Sequence, residues 1–197
     1  MRDLFRRTKC FAAIAVLASM MVAGGCGGHG RLALRSELRS GNVLTGDFTT
    51  AVYAFDDRNN VDVVLIEGTA EQPTQAVHIR MHWEPRAGRT PIDENATNAT
   101  VRYIVFTGDG AGVYSGSGFL FPESNIGGGS FRGELRETAM RLADASENFS
   151  DRLGLAHATG GFRAKLDEAA ASRLLRQIQL QLKEKLGYPR FVMADSP

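Results

Sequence analysis

Two histidines four residues apart, His78 and His82, are the first residues whose type and spacing could do chemistry. On a helix, His-x-x-x-His places two imidazoles on adjacent turns of one face, as a zinc ion requires. The neighbouring residues argue against a helix. Val77, Ile79, Met81 and Trp83 alternate with His78, Arg80 and His82, the period-two pattern of a half-buried strand. On a strand the two Cα atoms stand about 13 Å apart, whereas zinc needs both nitrogens within about 2.1 Å. The pattern predicts no metal site here, only a solvated polar face that carries the two histidines.

Nucleophilic chemistry fares no better. Ser115 and Ser117 sit among glycines, but neither stands in Gly-x-Ser-x-Gly, and no strand-to-helix elbow follows. His157, in Ala-His-Ala-Thr, reads as an ordinary satisfied or exposed histidine. The acidic groups Asp56-Asp57, Asp93-Glu94 and Asp109 fall in turn-like stretches. Asp57-Arg58-Asn59 lacks the downstream Gly and Glu of a calcium loop. Neither a phosphate-cradling Gly-rich loop ending in Lys-Ser/Thr nor a dinucleotide fingerprint is present. The sequence assigns no catalytic residue, no metal ligand and no cofactor.

The strongest signal lies at the start of the chain. Arg2, Arg6, Arg7 and Lys9 precede a 13-residue apolar run, Phe11 to Ala23, which closes in Gly24-Gly25-Cys26. A charged segment, a short apolar core and small residues before a cleavage point make up an export signal. The run falls short of the roughly 20 residues that span a bilayer as a helix. Cys26 after small residues resembles the lipobox of bacterial lipoproteins. That resemblance implies removal of residues 1–25, a lipidated Cys26 as the first mature residue, and a membrane partner through the lipid anchor. Ala23 stands where these proteins usually carry Leu, three positions before the Cys. An ordinary signal peptidase could also cut after Gly25, which leaves secretion as the alternative.

Cysteine usage agrees with export. Cys10 lies inside the signal and Cys26 at its end, so the folded domain holds no thiol and no disulfide. Residues 1–25 carry four of the 23 basic and one of the 22 acidic residues. The mature chain is left with 19 basic and 21 acidic groups, a balance that gives no sign of a nucleic-acid partner. Three Asn-x-Ser/Thr triplets, at Asn95, Asn98 and Asn148, read as polar loop chemistry.

The elements that must position these residues follow from periodicity. Residues 26–47 read as a lipid-anchored tether leading into the domain, with a short helix over Arg31–Arg39. From Phe48 onward strands dominate: 49–55, 61–66, 75–83, 101–107, 112–121, 130–135 and 161–166, separated by turn-forming clusters. Residues 137–145 fit either helix or strand, with strand preferred. Ser130-Phe-Arg-Gly-Glu-Leu135 and Gly161-Phe-Arg-Ala-Lys-Leu166 are similar, as two equivalent strands of one sheet would be. Ala171, Leu174, Leu175, Ile178, Leu182 and Leu186 form one apolar stripe of a helix over 168–186, capped by Asp167 and stopped by Gly187. A single stripe of that width docks on a sheet. The expected architecture is mainly β: one β-sandwich-like domain, 48–197, with a C-terminal amphipathic helix packed on it. An open α+β sheet is the alternative.

The functional expectation is a non-enzymatic, lipid-anchored protein of the bacterial cell envelope, with a structural role or one in binding an envelope protein or small molecule. An envelope hydrolase with a site assembled from distant residues, or a carrier of apolar ligands, are its rivals.

Overall fold

The computed structural model describes residues 28–56, 60–82, 97–126 and 128–188. Nine strands and one helix follow in order: β1 (His29–Ser36), β2 (Val43–Phe48), β3 (Thr50–Phe55), β4 (Val61–Gly68), β5 (Pro73–Met81), β6 (Ala99–Phe106), β7 (Ala111–Pro122), β8 (Ser130–Ala145), β9 (Ala156–Leu166) and α1 (Glu168–Leu186). The strands form one sheet in the order β2-β1-β9-β3-β4-β5-β6-β7-β8, and β9 also pairs with β8. That extra pairing joins the last strand of the order back to the middle, so the sheet closes on itself. Its walls face each other across one core, as the sandwich-like expectation implies.

β9 is the strand on which closure depends. One edge pairs antiparallel with β8, from Ser130↔Lys165 to Met140↔Ala156. The other edge pairs with β1 over Ala156 to Arg163, then with β3 at Lys165 and Leu166, in parallel. At Gly160 φ is 135°, and a Cβ there would sit 2.1 Å from the carbonyl oxygen of Arg31. Only glycine lets β9 pass β1 so closely.

Period-two alternation sends one set of side chains inward on every strand. Leu32 and Leu34, Val61, Val63 and Leu65, Val77, Ile79 and Met81, Val101 and Tyr103, and Phe131 and Leu135 fill the interior. Edge-to-face ring pairs run through it: Tyr53–Phe131 at 5.9 Å and Phe131–Phe162 at 5.6 Å. A second cluster lies outside the sheet, where α1 covers Val52, Val64, Ile66, Ala76, Ile104 and Val113 with Ala171, Leu174, Ile178 and Leu182. Continuous apolar runs such as Val63-Val64-Leu65-Ile66 arise because β4 is buried on both faces. The helix is capped as its sequence predicts: Asp167 accepts from the Ala170 N–H, and Gly187, left-handed, donates to Lys183 O. Leu180, off the stripe, is exposed.

Three expectations are corrected. Residues 29–47 are neither tether nor helix: β1 and most of β2, with the turn between them, occupy this stretch, and Leu32 and Leu34 are core. The order polar-apolar-polar from Arg31 to Arg35 is a strand pattern, although Ala, Leu and Arg favour helices in isolation. β9 begins at Ala156 rather than 161, its first turn of alternation being carried only by the small inward residues Ala156 and Ala158. Asn98 does not decorate a loop. It is fully buried, donating to Leu120 O at 2.8 Å and accepting from Leu120 N at 2.7 Å. Its amide thereby extends the β6–β7 pairing past the last ladder pair, Ala99↔Gly118. Residues 137–145 are strand, the second half of β8.

Candidate functional site

The residues singled out in the sequence are scattered. Cys26, Asp57, Trp83, Asp93, Glu94 and Asn95 lie outside the described residues. His78 and His82 fall on and just past β5, and they differ. His82 is exposed and meets Thr100 Oγ1 at 3.1 Å. The solvated face expected for His78 is not what forms: it is 6% exposed, and its Nε2 lies 2.7 Å from Asp62 Oδ1 on β4. Cross-strand neighbours cover it, with Arg102 on β6 opposite. One residue pair further along, Arg80 binds Asp56 at 2.5 Å, and Asp56 also closes its own turn through Asn60. Cross-strand polar contacts of this kind hold an outer sheet face together.

Ser115 and Ser117 point outward on β7. His157 is on β9, its Nε2 2.6 Å from Glu37 Oε1. Ser117 pairs with Ala139, and Ala139 with His157, so serine and histidine are two strands, roughly 10 Å, apart. That exceeds nucleophile–base reach. Among the described residues, no group of three or more His, Cys, Asp or Glu side chains converges on a point.

Among the described residues, two concavities stand as candidate sites. The smaller, of about 360 Å³, lies between the β1–β2 turn, β6, β7 and the β8–β9 loop, lined by Val43, Leu44, Tyr114, Phe149 and Leu153 among others. Between the lining residues Ser150 and Arg152, Asp151 accepts from the Tyr114 hydroxyl at 2.8 Å and from the N–H groups of Leu153 and Gly154. Burial pushes the Tyr114 hydroxyl well above its ordinary pKa, and the bond to Asp151 adds to that. Burial alone would raise the Asp151 carboxyl. The two N–H groups, the tyrosine and the Arg39 charge outweigh it and hold the group below its usual value. The network fixes the β8–β9 loop over this end of the core, with Ser36 Oγ donating to Leu153 O at 2.5 Å.

The larger concavity, about 570 Å³, is a groove at the end of the sheet where β1 and β8 begin and β2 and β9 end, bordered by the inward residues Phe48 and Phe162 and by outward residues of β1, β9 and β8. Gly161 adds no side chain to its outward wall, and Arg31, Arg132 and Arg163 stand along it. Register explains the row: His29 is opposite Arg163 on β9, and Arg163 is opposite Arg132 on β8. Arg163 Nε reaches Ser130 Oγ at 3.4 Å, and Arg31 pairs with Asp47 at 2.8 Å, largely in solvent. Like charges directly opposite each other across a ladder are locally unfavourable. Two arginines about 5 Å apart at their Cα atoms can straddle one anionic group in a bidentate manner. Sequence reading saw the two Phe-Arg stretches as equivalent strands and missed that antiparallel pairing sets Arg132 and Arg163 face to face. The signal was present in the repeated Phe-Arg, but only the register converts it into a site.

Comparison with protein-family models, with curated proteins and with solved structures finds no match to this chain. No helix among the described residues is long and apolar enough to cross a membrane.

Proposed function

We propose that this protein is a lipid-anchored protein of the bacterial cell envelope, acylated at Cys26, whose β domain binds or supports an envelope component rather than catalysing a reaction. The observation that carries the reading is the N-terminal pattern: four basic residues, a 13-residue apolar run, and small residues ending at Cys26. A closed sheet with a side-chain-filled interior favours a binding or structural role over an apolar-ligand carrier, which needs an empty core. The separation of Ser117 from His157 speaks against the hydrolase reading in its simplest form.

The test is acylation. Expressed in a bacterium, the protein incorporates labelled palmitate and sediments with membranes, while Cys26→Ser abolishes the label and blocks processing. A soluble, unlabelled wild-type chain overturns the proposal and leaves plain secretion.

A further inference from the structure

We infer that the arginine-lined groove bordered by β1, β9 and β8 is the surface on which the anchored domain lies against the membrane, holding anionic phospholipid headgroups between Arg31, Arg132 and Arg163. The inference rests on acylation of Cys26.

Chain length brings this face to the bilayer. Only Gly27 separates Cys26 from Gly28, so the Cα atoms of Cys26 and Gly28 lie at most about 7 Å apart. Gly28 is buried where β9 leaves β1 for β3: a Cβ there would fall 2.0 Å from Ala51 O and 2.6 Å from Arg163 O. A residue held so tightly between two strands is no slack tether. A lipid on Cys26 therefore keeps His29 and Arg163 near the headgroups, within about a Debye length at physiological ionic strength, roughly 8 Å.

Charge then decides which chemistry this face accepts. Outward positions on β1, β9 and β8 at the groove include Arg31, Arg163 and Arg132, with Lys165 next to Arg163 on the same face. Among the acids here, Asp47 is paired with Arg31 and Glu134 with Arg136, and Glu123 also lines the groove, so three arginines there stand against two carboxylates. Arg132 and Lys165 have no ion pair among the described residues. The mature chain carries slightly more acidic than basic groups, so this cationic face is a local excess rather than a reflection of overall composition. An anionic leaflet complements it, and a Lys or Arg near such a surface strengthens attachment about fivefold. The unfavourable Arg163–Arg132 juxtaposition is relieved by a phosphate between them.

The experiment uses the full chain purified from membranes and reconstituted in two kinds of vesicle, phosphatidylcholine alone and phosphatidylcholine with phosphatidylglycerol. Mass spectrometry first reads the N-terminus. A water-soluble amine-acylating reagent then measures Lys165, on the proposed face, against Lys183, exposed on α1. On phosphatidylglycerol vesicles Lys165 should react at least about fivefold more slowly than on phosphatidylcholine, regain its rate in high salt, and leave Lys183 unaffected. The triple variant Arg31→Gln, Arg132→Gln, Arg163→Gln, all at exposed positions, should lose that protection. An acylated protein whose Lys165 reacts equally in both vesicles, or whose Lys183 is the protected amine, overturns this inference and leaves the anchor standing. A missing acyl mass overturns both readings.

Discussion

Tyr53 carries a hydroxyl with no partner among the described residues, inside a side chain that is fully buried. Burial raises its pKa, so the group stays neutral throughout the physiological range. A buried hydroxyl without a hydrogen bond costs about 1–3 kcal/mol, while the ring contributes through its edge-on contacts with Phe55 and Phe131. Tyr53→Phe keeps the ring and removes the cost. It should leave stability unchanged or raise it by about 1 kcal/mol in chemical denaturation, and a clear loss would mean that the hydroxyl is satisfied by bound water. Asn98 shows the opposite case, an amide whose two bonds to Leu120 replace missing ladder bonds. Neither role was legible beforehand. A tyrosine in a strand pattern looks the same with or without a partner, and Asn98 in an Asn-Ala-Thr triplet looks like a surface turn. The difference lies in which backbone groups are left open where the β6–β7 ladder ends, and that is a long-range property. His78 was misread for a related reason: period two identifies its face, but not that Asp62 on the adjacent strand shares it.

Elements with one regular period were the legible ones, and α1 most of all. Its stripe, N-cap and Gly187 stop coincide with the helix and buried residues observed. Burial on the outside of β3–β7 makes a direct prediction. Ile178 is 1% exposed within the outer cluster, whereas Arg176 faces solvent. Ile178→Asp places an unpaired charge in an apolar site, a cost comparable to a typical domain's whole stability of about 5–15 kcal/mol. It should unfold or aggregate, and Arg176→Asp should melt within a few degrees of wild type. Equal melting of the two would detach the helix from the sheet. β8 was ambiguous for a physical reason. Phe131, Gly133 and Leu135 face inward, but the next inward residues are Thr138 and Met140, because a bulge at Arg136-Glu137 shifts the phase. Glu137 takes φ 46° to make it. The three-residue step from Leu135 to Thr138 imitates a helical repeat, so a bulged strand and a short helix write nearly the same sequence.

At the scale of the whole molecule, the question is how a nine-stranded sheet closes when two of its strands are short. The inward phase slips again between Phe48 and Ala51, so that β2 and β3, nearly one strand, divide their partners: β2 takes β1 and β3 takes β4. This leaves the outer edge of β2 without a backbone ladder on β4 and β5, and side chains serve instead. Gln75 accepts from the buried Tyr103 hydroxyl and donates to Thr45 O at 3.0 Å and to Glu67 Oε2 at 2.7 Å. Glu67 Oε1 accepts from the Asp47 N–H at 3.2 Å. Burial, with Glu67 and Asp47 nearby, drives the Tyr103 pKa far up, so its hydroxyl remains a donor. Beside the long β8–β9 ladder, two seams therefore hold the closure, a short parallel ladder between β3 and β9 and this side-chain clamp. Gln75→Ala cuts the clamp alone. It strands the Tyr103 hydroxyl and should cost about 1–3 kcal/mol. Hydrogen exchange locates the loss: amides of β2 should open far faster than in wild type, while those of β4 and β9 keep their protection until global unfolding. If β2 exchanges no faster in Gln75→Ala, its pairing with β1 suffices, and the clamp is incidental to closure.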